Sequence, residues 1–174
     1  MFWVGLAVGL GLSALCLLAL FLAGAFKTRE AQPAYGKILV AAVENPFSRR
    51  ALNMGVRMAG RTGIVETLYV IEIGVERPLE VPADEAVAAG LRALEEASYI
   101  AKNYGKRLLP RLEKARMGSK VILDTQAQGS FDLLIMDLAV SDTMEATTRK
   151  IAQYVKEKAT CTVVILSGKQ KLLE

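Results

Sequence analysis

The 174-residue chain contains no histidine. That absence removes every imidazole acid, base and metal ligand, and with it Ser-His-Asp and Cys-His catalysis and His-ligated zinc or iron. Cysteine is nearly absent as well: Cys16 and Cys161 stand far apart and form neither a CxxC pair nor a disulfide framework. A net charge of +4, with no run of Lys or Arg, leaves nucleic-acid binding without support. Charge is also missing locally, since no Asp, Glu, Lys or Arg precedes Lys27.

What occupies that uncharged head is an apolar run from Phe2 to Phe26. At about 1.5 Å per helical residue it is long enough to span a hydrocarbon core of ~30 Å with some tilt. Residues 1–26 therefore read as a transmembrane helix. A cleaved signal peptide is the competing reading, because Ala23-Gly24-Ala25 resembles a cleavage site. It fits less well, since no basic residue precedes the run and signal cores are shorter. Lys27, Arg29 and Lys37 follow the head, so the positive-inside rule puts the amino terminus outside and the remainder in the cytoplasm of a single-pass inner (plasma) membrane protein. Gly5, Gly9 and Ser13 fall on one helical face and form a packing surface for another helix.

Residues 27–36 are polar and form a tether. From Lys37 the pattern changes to short apolar runs of strand type, KILVAAV, IVETLYVI, a weaker KRLLPRL, FDLLIM and CTVVIL. Between them lie helical stripes: Leu52, Val56 and Ala59; Val87, Leu91, Leu94 and Ala101; a short segment near 119–128; and Met144, Ile151, Val155 and Ala159. Asp142 followed by Glu145 forms a candidate capping box for the last of these. The alternation predicts an α/β fold with a five-stranded parallel sheet covered by helices on both faces. Pro110 in the third strand suits an edge position. Cys161, Met54, Met58 and Met117 read as core filling.

The order KILVAAV, Asn45-Pro46, SRRALNMGVRMA, AKNYGKR, FDLLIM and ATCTVVIL resembles the universal stress protein superfamily over 37–167, leaving 168–174 as a tail. The Asn-Pro turn is similar to the versions appended to amino-acid permeases and cation antiporters. The resemblance implies a flavodoxin-like, Rossmann-like sheet of order 3-2-1-4-5 with any ligand at the switch between strands 1 and 4. It also implies a glycine-rich phosphate cradle after strand 4 in nucleotide-binding members. Here Asp137, Leu138, Ala139 and Val140 stand at that place, and the closing Gly-Ser pair falls on Arg149 and Lys150. The acidic residue expected at the end of strand 1 falls on Val43, or on Glu44 with a shift of one.

The candidate crevice thus comprises Val43, Glu44, Asn45, Asp137, Val140, Arg149 and Lys150, with no cofactor expected. Backbone N–H groups approach phosphates closely where no Cβ intervenes, and the replaced glycines remove that freedom. Glu44, Asp137 and Asp142 read as acids in solvated turns and at a helix start rather than as a Mg²⁺ site, and Arg149 and Lys150 as a solvated helix face. The expected function is a membrane-anchored, non-catalytic binding or regulatory module, partnered by a second copy as a homodimer or by a membrane transporter. The alternative is a sensor responsive to ATP, AMP or a cyclic dinucleotide; a secreted domain released by signal cleavage ranks last.

Overall fold

The computed structural model describes residues 35–79, 83–138 and 142–167, with 142–145 described by backbone only. The proposed membrane helix, its Gly5, Gly9 and Ser13 face, and most of the tether lie outside the described residues. Among the described residues no helix is long and apolar enough to cross a membrane.

The strands are β1 (Tyr35–Val43), β2 (Ala59–Glu72), β3 (Leu108–Ala115), β4 (Leu133–Asp137) and β5 (Thr162–Leu166). They alternate with α1 (Arg49–Met58), α2 (Asp84–Lys102), α3 (Gly118–Gly129) and α4 (Asp142–Lys158). All pairings are parallel and the order is β3-β2-β1-β4-β5, as the resemblance implied. Pro110 sits on edge strand β3, where a residue that cannot donate to the ladder is tolerated.

The unbroken apolar runs of β1 and β4 follow from their central position. Ile38, Leu39, Val40, Leu133, Leu134 and Ile135 are all fully buried because helices cover both faces. Odd and even positions serve two cores. Ile38, Val40, Val65 and Tyr69 pack with Leu52, Val56, Leu94 and Ala97 of α1 and α2. Leu39, Leu68, Val70, Leu134 and Met136 pack with Ile122, Ala152 and Val155 of α3 and α4.

Small residues set how closely the helices approach. A Cβ on Gly55 of α1 would lie 2.9 Å from Val40 Cγ2, and one on Gly90 of α2 would lie 2.7 Å from Leu112 and 2.8 Å from Tyr69. Both helices therefore rest backbone-first on the sheet. Ser48 begins α1 by accepting a hydrogen bond from the Ala51 N–H at 3.0 Å, satisfying one of the first-turn donors.

Several expectations need correction. Strand β2 starts at Ala59 rather than Ile64, because the first residues of β1 extend past the apolar run and Tyr35 pairs with Ala59 across a register shift. Strand β3 continues to Ala115, held by Ile73 N–H donating to the Ala115 carbonyl at 2.8 Å. Leu91 is 55% exposed, since Gly90, Ala93, Leu94 and Ala97 form the buried stripe of α2 instead. Met117 is also exposed, lying in the turn before α3 rather than in the core. Cys161, Met54 and Met58, by contrast, are partly buried and pack against the cores as expected.

Candidate functional site

Strands β1 and β4 are neighbours whose following connections leave toward opposite faces of the sheet. Their carboxyl ends therefore separate and open a crevice. A cavity of about 200 Å³ lies there, lined by Val40 to Val43, by Asn45 to Ser48 and Ala51, by Asp137 and Leu138, and by Thr148. Val40, Ala41 and Val43 are buried in β1, so its floor is aliphatic. Phe47 closes one wall and meets Tyr69 edge-on, with centroids 6.1 Å apart and an interplanar angle of 67°. Asp137, half-buried at the end of β4, is the one ionisable side chain among the described lining residues.

The predicted residues divide. Val43, Asn45 and Asp137 reach the crevice, and Val140 lies outside the described residues. Glu44 does not line it. Its backbone adopts a left-handed φ of 54° and its N–H donates to the Val70 carbonyl at 2.9 Å, fixing the residue toward β2. Partial burial, and then the neighbouring Glu72 charge, push the Glu44 carboxyl above its ordinary value, offset in part by a hydrogen bond from the Glu72 backbone. Burial and the Glu44 charge likewise push the Tyr69 phenol up. Glu72 in turn accepts the Gly118 N–H at the start of α3, where a first-turn amide and the helix dipole favour a carboxylate. Glu44 and Asp137 consequently belong to different surroundings.

Arg149 and Lys150 are exposed on α4 and do not line the crevice. Thr148, immediately before them, does, and it is 5% exposed. Counting back from strand 5 stopped one residue short of the inward position. The helical pattern held the signal, because Thr148, Ala152 and Val155 recur at spacings of four and three and are all buried. Asp142 opens α4 within its first turn, and its side chain lies outside the description.

Chemically the crevice offers one carboxylate, one amide and two hydroxyls. Ser48 Oγ is already engaged as the α1 cap. Among the described lining residues there is no Lys or Arg and no nucleophile paired with a base. Cys161 stands apart, at the opposite end of the sheet, with burial as the main influence raising its thiol pKa.

The universal stress protein family model matches residues 34–167, most of the chain. The chain belongs to the universal stress protein family. Solved structures of similar fold include the universal stress protein UspA from Lactobacillus plantarum, at 20% identity and TM-score 0.62, covering 77% of this chain and 99% of that one. The Archaeoglobus fulgidus universal stress protein in complex with dAMP gives 20% identity and TM-score 0.60 over 76% and 98%. A universal stress protein family member from Arabidopsis thaliana with AMP bound gives 16% and 0.52 over 75% and 90%. A search of curated proteins found no match. At these identities the likeness establishes the fold of the universal stress domain, and the contents of its crevice rest on the geometry above.

Proposed function

We propose that this chain is a membrane-anchored, non-catalytic universal stress module that works by binding, to a second copy of itself or to a membrane transporter. The observation that carries the reading is the crevice: an aliphatic floor, a carboxylate at its edge and no cationic side chain among its described lining residues. A polyphosphate placed there would meet repulsion from Asp137 and no compensating charge from the described wall. The anchor supplies the mechanism by confining the domain near the inner membrane, which raises its effective concentration toward a membrane partner. The uncharged run Phe2–Phe26 and the basic residues after it support this topology. Edge strand β5 supports self-association, because Val163, Val164 and Ile165 are only half-buried in the single chain and, among the described residues, no strand pairs with its outer edge.

A second reading has its own support. The cavity stands at the switch point of the sheet, and structures of similar fold hold dAMP and AMP. In that reading the module senses an adenine nucleotide, with the base on the aliphatic floor and Thr148 and Asn45 as polar contacts.

Purification of the full chain from gently solubilised membranes tests the first reading. Recovery of a crosslinkable dimer or a transporter, with a C-terminal reporter active only in the cytoplasm, is the expected result. Periplasmic reporter activity, or a mature chain beginning near Phe26, contradicts it.

A further inference from the structure

The two ends of the sheet differ in charge. The helices run antiparallel to the strands, so the amino ends of the strands and the carboxyl ends of the helices share one end of the domain. That end presents Arg57, Arg61, Lys102, Arg107, Lys156 and Lys158, all exposed. Asp132, whose Oδ2 accepts the Lys37 N–H at 2.8 Å, and Glu157, which accepts from Gln153 at 3.2 Å, stand at the same end and keep their charge, so cations outnumber these acids there. At the opposite end Glu44, Glu72, Asp84, Glu85 and Asp137 are interleaved with Arg49, Arg50, Arg77 and Arg116, so neither sign prevails there.

Basic residues in the last turn of a helix complement its dipole, and Arg57, Lys102, Lys156 and Lys158 do so. Arg61 and Arg107 need another reason. They lie at the starts of β2 and β3, not in a helix, and both are exposed. Lys106 beside them ties these two starts together by donating from Nζ to the carbonyls of Gly60 at 2.6 Å and Arg61 at 3.1 Å. The cations therefore stand on a fixed rim. Tyr104, 42% exposed, follows α2 near this end and lines a shallow pocket between α1 and α2 with Asn53, Tyr99 and Asn103. The described chain also begins at this end, with Tyr35.

We propose that this basic end is a docking surface for the anionic headgroups of the membrane leaflet from which the chain emerges. The inference rests on the anchored reading above. Residues 27–34 reach less than about 30 Å even when fully extended, at about 3.5 Å per residue, so the anchor would hold this end within reach of the headgroups. Each Lys or Arg brought to an anionic surface strengthens association about five-fold. Docking by this end leaves the β1/β4 crevice directed away from the bilayer and open to a partner.

The test uses the full chain in phosphatidylcholine vesicles, with or without phosphatidylglycerol, carrying Cys16→Ala, Cys161→Ala and a fluorophore on Thr62→Cys. A second preparation carries the fluorophore on Glu76→Cys, at the far end. Headgroup-quencher lipids should quench the Thr62 probe several-fold more on anionic than on neutral vesicles, and the difference should disappear in high salt. The Glu76 probe should show no such difference. Arg57→Gln, Arg61→Gln, Lys102→Gln and Arg107→Gln together should weaken docking by about 600-fold, while replacing the three arginines by lysine should preserve it. Equal quenching on both lipids, equal quenching of both probes, or an unchanged glutamine variant would overturn the proposal. So would salt-sensitive capture of an oligonucleotide by the solubilised chain without anionic-lipid docking. Alkaline extraction of the same neutral vesicles reads the anchor separately: release of the chain sinks the anchored reading, while retention with no lipid dependence sinks only the docking surface.

Discussion

At the carboxyl ends of β1 and β4 the chain leaves a cavity of about 200 Å³ walled largely by aliphatic side chains. At the amino ends of the same strands lysines close the structure: Lys37 Nζ donates to the Gly129 carbonyl at 2.8 Å and lies 4.7 Å from the Phe131 ring centroid, and Lys106 spans β2 and β3. One end holds its open space in an apolar, weakly acidic setting. The other uses cations to finish helix ends and strand starts, and displays the remainder to solvent. The difference shows why charge alone misleads about function in this fold. Arg149 and Lys150 look like anion ligands in the sequence yet lie outside the crevice, whereas lysines near the other end cap carbonyls.

The largest expected effect probes the floor beneath the crevice. Gly55→Val should cost about 3 kcal/mol in urea unfolding, because its side chain must enter where Val40, Ile38 and Ile135 already stand. A cost below about 1 kcal/mol would mean that the open space extends down to the helix, and the contrast between mouth and floor would fail.

At the other end, Lys37→Met should cost about 1–2 kcal/mol by leaving the last carbonyl of α3 without its charged donor and Phe131 without its cation. Little dependence on salt is expected, since the bond is partly buried. An unchanged midpoint would remove the structural role assigned to the amino-end lysines.

Between the two ends, Thr67 is fully buried in β2 and its hydroxyl has no hydrogen-bond partner. Thr67→Val keeps the shape and removes a desolvated polar group, so a gain of about 1 kcal/mol is expected by the same unfolding measurement. A loss would show that the hydroxyl is satisfied in solution.

The smallest effect is at Glu44. A carboxyl whose pKa is raised by folding holds its proton more tightly in the native state. Its stabilising contribution is therefore complete below the unfolded value and lost as the pH rises through the native one. Glu44→Gln should raise the Tm at pH 7 by about 1–2 °C, a small gain because the group is largely solvated, and should make no difference near pH 3. A gain that persists at pH 3 would point to the left-handed backbone at Glu44 rather than to its charge.

How far these features were legible varies by position. The strands were readable because double-sided burial writes itself as unbroken runs such as KILVAAV and FDLLIM, and Pro110 marked an edge. Leu91 misled because α2 packs through glycine and alanine, leaving a large residue just outside the true stripe. At the site, Val43, Asn45 and Asp137 were reachable because strand ends fix them. Thr148 escaped because a hydroxyl on an otherwise apolar helical face looks polar in composition although it is buried by position. The direction of Glu44 depends on a left-handed backbone that a non-glycine residue rarely adopts, and no local pattern announces it.

Whether the crevice serves nucleotide phosphates is read by titration calorimetry of the full chain in detergent with Mg-ATP and with AMP. No saturable heat and no shift in Tm are expected up to millimolar nucleotide, because the described wall places Asp137 and no cation beside the site. A dissociation constant in the micromolar range, lost when Thr148→Trp fills the crevice but kept when Arg149 and Lys150 are both replaced by alanine, would contradict that expectation and establish the sensor instead.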